Sequence, residues 1–361
     1  MIFRLASPSD DAQLRRLMRE NVMPGHIRMV YAREPNFFAG QHDDTQTIVA
    51  DHNGDIVGMG SRTCRRLYLN GRAQRFGYLS GLRLSPSAQH GTALARGYSF
   101  LKQLHADGQA PAYLTTIIHG NGHASETLTS GRAGLPAYRH MGRYLTQVFP
   151  VRKHPLHAKP QDPLVIGRAT DVPAVDLSAF LAAEGAKRQF FPVAGVNGEI
   201  SGLLKQVGVD NVLVAQEGGA IVGTMAIWDQ GQHKQHIVDG YSRLFRCLVP
   251  FVNLFLRLRG CHALPLAGQQ VRYATVALVC IRHDDPRVFR ALFQSIMAKA
   301  SAAGLHQVAV GMHAHDPLRA CLRKRFRVIY RSGLYLVSWE DTPLCRSLDD
   351  TFVPYMELGT L

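Results

Sequence analysis

Val-Ala-Asp-His-Asn-Gly-Asp-Ile-Val-Gly at residues 49–58 returns, with six identities, as Val-Ala-Gln-Glu-Gly-Gly-Ala-Ile-Val-Gly at residues 214–223. The offset, 214 minus 49, is 165 residues, and no gap is needed. Each copy consists of two apolar runs joined by a short polar turn centred on Gly54 or Gly219. Such a pattern predicts a β-hairpin in both places.

Nearly the same offset relates the beginnings of two halves of the chain. Residues 3–10 predict a short strand followed by a helix start, with Ser7 as the cap and Pro8 in the first turn. Residues 166–173 repeat this design. Two matches at one offset indicate a duplication. The segment 151–163 is basic and contains three prolines, so it is predicted to be a linker between domains at 1–150 and 164–361.

Strands and helices alternate in both halves. In the first half we expect strands at 2–6 and 75–84, the hairpin at 47–66, and a strand at 113–118, with helices from Asp10 and over 92–105. In the second half we expect strands at 272–281 and 307–311, helices at 286–303 and 316–325, and an insertion at 230–270. The pattern predicts an α/β fold with a mixed sheet, built as two tandem related domains.

Composition narrows the class of protein. The 361 residues include 41 Lys and Arg against 27 Asp and Glu, a net charge of +14, and 46% are apolar. This is a globular composition, and no run of five basic residues occurs, so nucleic acid is not expected as a partner. The six cysteines form no Cys-x-x-Cys motif, the first residues do not resemble a signal peptide, and no apolar run reaches 18 residues. We therefore expect a cytoplasmic protein without a transmembrane segment; the oligomeric state is left open.

The most informative loop follows the predicted strand 75–84. It leads through Ser85 and Pro86 to a glycine at the start of a helix rich in small residues. Free N–H groups and the helix dipole at such a position favour binding of a pyrophosphate. The candidate cofactor-binding residues here are Leu82, Arg83, Leu84, Gln89, His90, Gly91, Thr92 and Ala93.

Together with the order of elements, this loop resembles the GNAT superfamily of acyl-CoA-dependent N-acyltransferases. Gly91 and Ala93 match the last two fixed positions of the family motif Arg/Gln-x-x-Gly-x-Gly/Ala, whereas Ala88 departs from the first. Residues 121–124 match the Asn-x-x-Ala that opens the next family helix, which adds Asn121 to the candidate cofactor site. The resemblance implies acetyl-CoA or another acyl-CoA as co-substrate, a small-molecule amine as acceptor, and no metal.

In the resemblance, the thioester lies where two parallel strands separate, which here falls between residues 82–84 and 115–118. His119 follows the second strand and is the candidate base. The family often places a tyrosine as general acid where this chain has Leu128, so Tyr138 and Ser125 are substitute candidates. The expected reaction is N-acyl transfer, and the acyl group that we expect to be transferred is an acetyl group.

The second half departs further from the family pattern. Its equivalent loop, residues 282–286, has no glycine and carries Asp284 and Asp285, which would repel a phosphate and are better suited to cap the helix. We therefore expect the first half to bind acyl-CoA. His313 and His315 have a metal-like spacing, but no third ligand lies nearby in the sequence, and Asp316 is predicted to cap a helix.

Three alternatives remain open. Both halves have lost parts of the motif, so the protein could be a ligand-binding or scaffold module. The positive charge alone leaves nucleic-acid binding as a second alternative. The apolar, arginine-containing segment 244–259 is expected to pack between domains or act as a lid. It also fits a membrane surface, a longer acyl chain or a lipid-like acceptor.

Overall fold

A computed structural model describes residues 1–88, 92–120, 122–131, 134–154, 163–193, 195–196, 199–200, 202–339 and 343–361. Within them a mixed α/β architecture is built around one large sheet. The strands are β1 (Ile2–Leu5), β2 (Ile27–Ala32), β3 (Thr45–His52), β4 (Asp55–Leu69), β5 (Arg72–Leu84), β6 (Tyr113–Ile118), β7 (Ala137–Pro150), β8 (Leu164–Arg168), β9 (Gly195–Val196), β10 (Glu199–Ile200), β11 (Val212–Glu217), β12 (Ala220–Trp228), β13 (Gln235–Tyr241), β14 (Tyr273–Ile281), β15 (Gln307–His313) and β16 (Val328–Ser338). The α-helices are α1 (Asp11–Glu20), α2 (Ala93–His105), α3 (Gly122–Leu128), α4 (Ala174–Gly185), α5 (Leu203–Val207), α6 (Arg243–Leu258), α7 (Pro286–Ala302) and α8 (Pro343–Arg346).

The main sheet has 12 strands in the order β1-β3-β4-β5-β6-β16-β7-β15-β14-β12-β11-β8. Two strands are exchanged at its centre. β16, from the end of the chain, runs antiparallel between β6 and β7, and β7 in turn pairs with β15. The sheet is therefore continuous through both halves, and a strand from each half completes the pairing of the other.

The duplication is visible in the backbone as well as in the sequence. The β4–β5 pairing shifts register between Met59 and Ser61, and the β12–β14 pairing shifts between Thr224 and Ala226, which is the same offset of 165. The bulged strands carry Gly81 with φ +67° and Leu278 with φ +51°. Each half thus has a β-bulge, on β5 in the first half and on β14 in the second. A bulge takes backbone groups out of the regular ladder of hydrogen bonds.

The two helix starts that suggested the repeat each contain the same kind of hydrogen bond. The backbone N–H of Ser7 donates to Asp10 Oδ2 at 2.7 Å, and that of Arg168 donates to Asp171 Oδ2 at 3.0 Å. Asp10 also accepts from Arg4 at 2.7 Å, and this guanidinium holds the pKa of the Asp10 carboxyl below its usual range. The acidic residue three positions after the cap therefore stabilises both turns.

Helices cover both faces of the first half. On one face α2 packs on Ile48 and Leu79, and on the other α1 packs on Val49 and Met59. Ile48 and Val49 are neighbours in β3, so the alternation of a strand buries one on each face. In the second half α7 forms the main core with β12 and β14.

Three elements differ from the expectations. The helix expected over 316–325 is a short 3-10 helix, Pro317–Leu322. The insertion 230–270 contributes β13, which pairs with β2 of the first half, and α6. The expected packing of 244–259 between domains is met only in part, since Phe245 contacts His26 of the first half while α6 exposes most of its apolar residues. A role as a lid stays a prediction.

The expected linker is described only in part, since residues 155–162 lie outside the described residues. Val151 at its start is hydrogen-bonded to His306 O at 2.9 Å. The boundaries at 150 and 164 stay a prediction.

Candidate functional site between strands β5 and β6

The parallel strands β5 and β6 pair over a very short distance. Their register contains only Gly77 with Tyr113 and Tyr78 with Leu114. Beyond this point β5 continues along β4 and β6 continues along β16. The hydroxyl of Thr115 still reaches Leu79 O at 2.9 Å. The two strands then separate, at the place where the sequence predicted a gap.

A bulge of β5, between Ser80 and Arg83, lies beside this gap, and a bulge takes backbone N–H groups out of the regular ladder. Its counterpart in the second half shows what such groups do: the N–H of Leu278 donates to Glu357 Oε2 at 3.0 Å, and that of Val279 donates to Tyr355 Oη at 3.2 Å. By the repeat, the equivalent N–H groups of the first half belong to Gly81 and Leu82. Two such donors suit a carbonyl oxygen on which negative charge develops.

The gap of the second half is occupied by the chain itself. β14 and β15 also pair briefly, from Tyr273 with Gln307 to Thr275 with Ala309, and then separate. The segment 353–361 lies over this opening, and it packs so closely that a Cβ on Gly311 would lie 3.0 Å from the Cβ of Leu358. Acyl-CoA has no access to this gap while the segment is in place.

The helix start of the second half is occupied in the same way. Asp285 is the N-cap of α7 and accepts from the N–H of Arg287 at 2.7 Å, which confirms the expected capping role. Asp284 forms an ion pair with Arg188. The N–H groups that would bind a phosphate at this position therefore face a carboxylate of the protein.

The loop of the first half is described at its two ends. β5 ends at Leu84, a 3-10 turn covers Pro86–Ala88, and α2 begins at Ala93 after an exposed Thr92 in the cap position. Leu82 is exposed and Ala93 is buried. Gln89, His90 and Gly91, and also Asn121, lie outside the described residues.

The side chain of Arg83 does not contribute to the loop at residues 85–92, because it lies against Tyr31. Its guanidinium lies over the Tyr31 ring, 5.6 Å from the centroid, and bonds to Gly81 O at 3.3 Å. Arg83 therefore lies beside the bulge through both its backbone and its side chain.

The three catalytic candidates lie apart from one another. His119 is exposed directly after β6, and its backbone N–H donates to Arg331 O at 2.8 Å. Tyr138 lies level with Tyr113, at the opposite end of β6 and about 20 Å from His119 along the strand direction at 3.3 Å per residue. Ser125 is half-buried on α3, where its carbonyl accepts from Thr129. Their catalytic roles stay predictions.

The hydroxyl of Tyr138 already has a partner. It lies 2.5 Å from the hydroxyl of Tyr98 on α2, and burial raises the pKa of Tyr138. Both rings belong to the core beneath α2. The geometry accounts for Tyr138 as a packing residue.

A small, partly polar cleft that no local sequence pattern predicted lies beside the closed end of the gap. Tyr31 of β2 stacks on His236 of β13 at 5.1 Å, and Tyr78 of β5 lies 3.4 Å from the hydroxyl of Thr116. A small cavity here is lined by Arg65, Tyr78 and Glu357, among others. The pairing of β2 with β13 brings Tyr31 and His236 together, although they are far apart in the sequence. No local sequence pattern predicts this pairing.

Burial strongly shifts the pKa values of the side chains in and around this cleft. It lowers the pKa of Lys234 to about 7, with Arg33 and Arg65 adding to the effect, and it lowers the pKa of His236 to about 4. Burial also raises the pKa of Tyr78 to about 12 and that of Glu357 to about 7. In the described part of the chain, neither Arg65 nor Arg83 has an Asp or Glu side chain within salt-bridge distance.

Metal binding and membrane crossing find no support in the described residues. They contain no group of three His, Cys, Asp or Glu side chains arranged for a metal. His313 bonds instead to Met141 O at 3.0 Å, and Asp316 caps the following turn by accepting from Leu318 N at 2.9 Å. Among the same residues, no helix combines the length and apolarity needed to cross a bilayer.

Comparison with known proteins places this geometry in a fold class. No family model matches the sequence, and no curated protein matches it. Solved structures do. A GCN5-related N-acetyltransferase from Sphaerobacter thermophilus matches with TM-score 0.55 and 13% identity, over 100% of this chain and 98% of that one. Saccharomyces cerevisiae N-myristoyltransferase with bound myristoyl-CoA matches with TM-score 0.57 and 11% identity, over 94% and 84%.

A glucosamine N-acetyltransferase region of a fungal multi-domain β-N-acetylglucosaminidase also matches, with TM-score 0.55 and 10% identity, over 93% of this chain and 38% of that one. These likenesses span the whole chain and define its class: it has the fold of the GNAT superfamily, as the resemblance of the sequence implied. The length and the internal repeat fit two copies of that fold.

Proposed function

We propose that the protein is an acyl-CoA-dependent N-acyltransferase whose first half binds the acyl donor and whose acceptor is a small-molecule amine. One observation carries the proposal. The β-bulge and the strand separation occur in both halves, and in the second half the segment 353–361 occupies the gap through Glu357 while Asp285 caps the helix start. In the first half, by contrast, the described first turn of α2 carries no acidic residue, which supports a thioester and a pyrophosphate as ligands there.

In the proposed reaction the amine nitrogen attacks the thioester carbonyl carbon. A C–N bond forms, the C–S bond breaks, and the N–H groups of Gly81 and Leu82 stabilise the charge on the carbonyl oxygen. The amine loses a proton, for which His119 at the open end of β6 is the candidate acceptor, through a water molecule. The departing CoA thiolate gains a proton.

For that second proton we propose Tyr78 in place of Tyr138 or Ser125. The Tyr78 hydroxyl lies across the gap from Thr116, at 3.4 Å. Burial raises the pKa of Tyr78 to about 12, so the hydroxyl is protonated at neutral pH and able to donate. The hydroxyl of Tyr138, by contrast, is hydrogen-bonded to the hydroxyl of Tyr98.

Acetyl-CoA is the donor that we propose first. The side chains of Tyr78 and Thr116 meet at the closed end of the gap, which favours a short acyl group. The myristoyl-CoA in the yeast N-myristoyltransferase structure makes longer chains the necessary comparison. Acyl-CoA donors of 2, 8 and 14 carbons therefore belong in the same assay.

Calorimetry with acetyl-CoA tests the binding half of the proposal. The wild type is expected to bind one molecule per chain, and Gly91→Asp is expected to weaken binding tenfold or more. At an effective dielectric constant of about 20, two like charges about 6 Å apart repel each other by about 3 kcal/mol before screening. Asp285→Ser at the matching helix of the second half removes a charge, retains a capping side chain, and should leave affinity unchanged. Equal binding by the wild type and Gly91→Asp, or no binding by the wild type, would reject the first-half site.

Release of free CoA thiol with a panel of amines tests the chemistry. Thioester cleavage that depends on an amine supports the transferase. Intact acetyl-CoA binding without cleavage of any donor would favour the alternative of a ligand-binding module.

A further inference from the structure

The helix α6 carries an apolar face that the described residues of the protein leave exposed. Leu244 is 84% exposed, Phe251 71% and Leu258 79%. Leu248 and Phe255 are exposed on the same stripe, since successive spacings of three and four residues recur on one side of a helix. Only Leu256 of this helix is buried, and it faces the body of the protein. The helix therefore lies on the surface with a second apolar side turned outward.

Arginines border this apolar face. Arg243, Arg246, Arg257 and Arg259 are all exposed, and residues 243–259 contain no Asp or Glu. Arg259 lies over the Phe255 ring, 4.8 Å from its centroid, so one cation is held against the apolar stripe. An apolar stripe with basic borders is the pattern of helices that lie in a membrane interface.

A second segment extends the same surface. Phe326 makes an edge contact with Phe255, with centroids 5.1 Å apart, and Val328 and Tyr330 beyond it are exposed. The segment 323–331 carries five basic residues and no acidic one: Arg323, Lys324, Arg325, Arg327 and Arg331. We call α6 together with 323–331 the basic apolar surface.

We infer that the basic apolar surface docks this protein on a lipid bilayer that contains anionic headgroups. Charge complementarity selects this partner, because every charged residue of the two segments is basic. A second copy of the chain fits poorly, since a symmetric contact would bring one arginine border against another. Contiguous exposed apolar areas of this kind mark interaction sites, and arginine side chains are free to reach phosphate groups beside the embedded leucines.

The orientation follows from the helix. With Leu256 toward the body and Phe251 toward the lipid, α6 lies flat, and its apolar side enters the boundary between headgroups and acyl chains. It has 16 residues with charges at both ends, which excludes a spanning role for it. Docking of this kind is reversible and depends on salt.

Vesicle flotation of the full chain, without any acyl-CoA, tests the inference independently of the proposed enzyme activity. The probes are vesicles of phosphatidylcholine alone and of phosphatidylcholine with phosphatidylglycerol. We expect flotation only with the anionic vesicles, and a loss at 0.5 M salt. Phe251→Asp with Leu258→Asp should reduce the bound fraction at least tenfold. Val175→Asp, an exposed apolar position on α4, is the matched control and should bind like the wild type.

Arginine substitutions separate charge from apolar contact. Each of Arg246→Gln and Arg257→Gln should weaken binding about fivefold, as expected for one cation near an anionic surface. Far-ultraviolet circular dichroism checks that the variants are folded, which their exposed positions favour. Failure of the wild type to float, or equal binding to both kinds of vesicle, would overturn the inference. So would a wild-type dimer that Phe251→Asp dissociates, because the surface would then join two copies.

Discussion

Glu357→Gln should make the protein more stable at alkaline pH, although it removes a side chain that makes two hydrogen bonds. Glu357 is 5% exposed, and its Oε2 accepts from the N–H of Leu278 and from the hydroxyl of Tyr355, while Oε1 has no hydrogen-bond partner among the described residues. Burial raises the pKa of this carboxyl from 4.5 to about 7. A glutamine has nearly the shape and the acceptor of the protonated acid, so it provides the same bonds without a buried charge.

The size of the effect follows from the pKa difference. A carboxyl whose pKa is raised in the folded protein stabilises the fold fully below pH 4.5 and loses that contribution as the pH rises through 7. The loss is about 1 kcal/mol at pH 5 and about 3 kcal/mol at pH 8. Relative to the wild type, the free energy of unfolding of Glu357→Gln should therefore rise by about 2 kcal/mol between these two pH values.

Urea unfolding followed by tryptophan fluorescence measures this difference at pH 5 and pH 8. The measured quantity is the change with pH in the difference between variant and wild type, which cancels the titration of all other groups. Glu20→Gln, an exposed carboxyl at the end of α1, is the matched control and should leave the wild-type profile unchanged. A difference that is constant with pH, or one that favours the wild type at pH 8, would refute the placement of a protonated Glu357 against Leu278.

Three further outcomes test other parts of the structure. Tyr78→Phe should lower kcat for acyl transfer about 10- to 100-fold without changing the KM for acyl-CoA, whereas Tyr138→Phe should change kcat less than threefold; steady-state kinetics with purified variants decides. Arg62→Met should lower the free energy of unfolding by about 3 kcal/mol in urea, because Arg62 is 1% exposed and is paired with Asp107. Lys234→Met should be more stable than the wild type at pH 6, with an advantage that shrinks by about 3 kcal/mol by pH 9.5. The pKa of Lys234 is lowered to about 7, and that penalty disappears as the unfolded lysine also loses its proton.

Most elements of the fold could be predicted from local sequence signals. The hairpins, the strand at Tyr113–Ile118 and the helix from Pro286 are set by turn residues, alternation and capping, all of which act within a few residues. The separation of β5 and β6 was also predictable, since it follows from the order of elements once the GNAT resemblance is accepted. The capping role of Asp285 needed only the sequence Asp-Pro at a helix start.

The exchanged strands were not predictable in the same way. β16 pairs Ser332 with Ile118 and with Tyr144, partners that lie about 190 to 210 residues away in the chain. The cleft has the same origin, because Tyr31 and His236 meet only when β2 pairs with β13. Neither pairing has a local signal, and the chemistry-bearing residues that depend on them were missed for that reason.

From the sequence, an exposed apolar face of α6 was one of the alternatives and not the expectation, for a different reason. An apolar run with interspersed arginines has the same sequence pattern whether its apolar side is buried by the protein or left outside. The outcome depends on what the fold supplies opposite the helix, and here α6 is fully buried only at Leu256 while its other side stays exposed.

The two halves show how one backbone feature can serve two purposes after a duplication. A bulge turns N–H groups out of the ladder, and a buried N–H without an acceptor costs about 1–3 kcal/mol. In the second half the segment 353–361 satisfies this demand with Glu357 and Tyr355, although the carboxyl must be buried for it. In the first half the donors of Gly81 and Leu82 lie beside the gap that we propose for the thioester. In our proposal, the N–H groups that the second half satisfies with its own side chains correspond to the groups that bind and polarise the substrate in the first half.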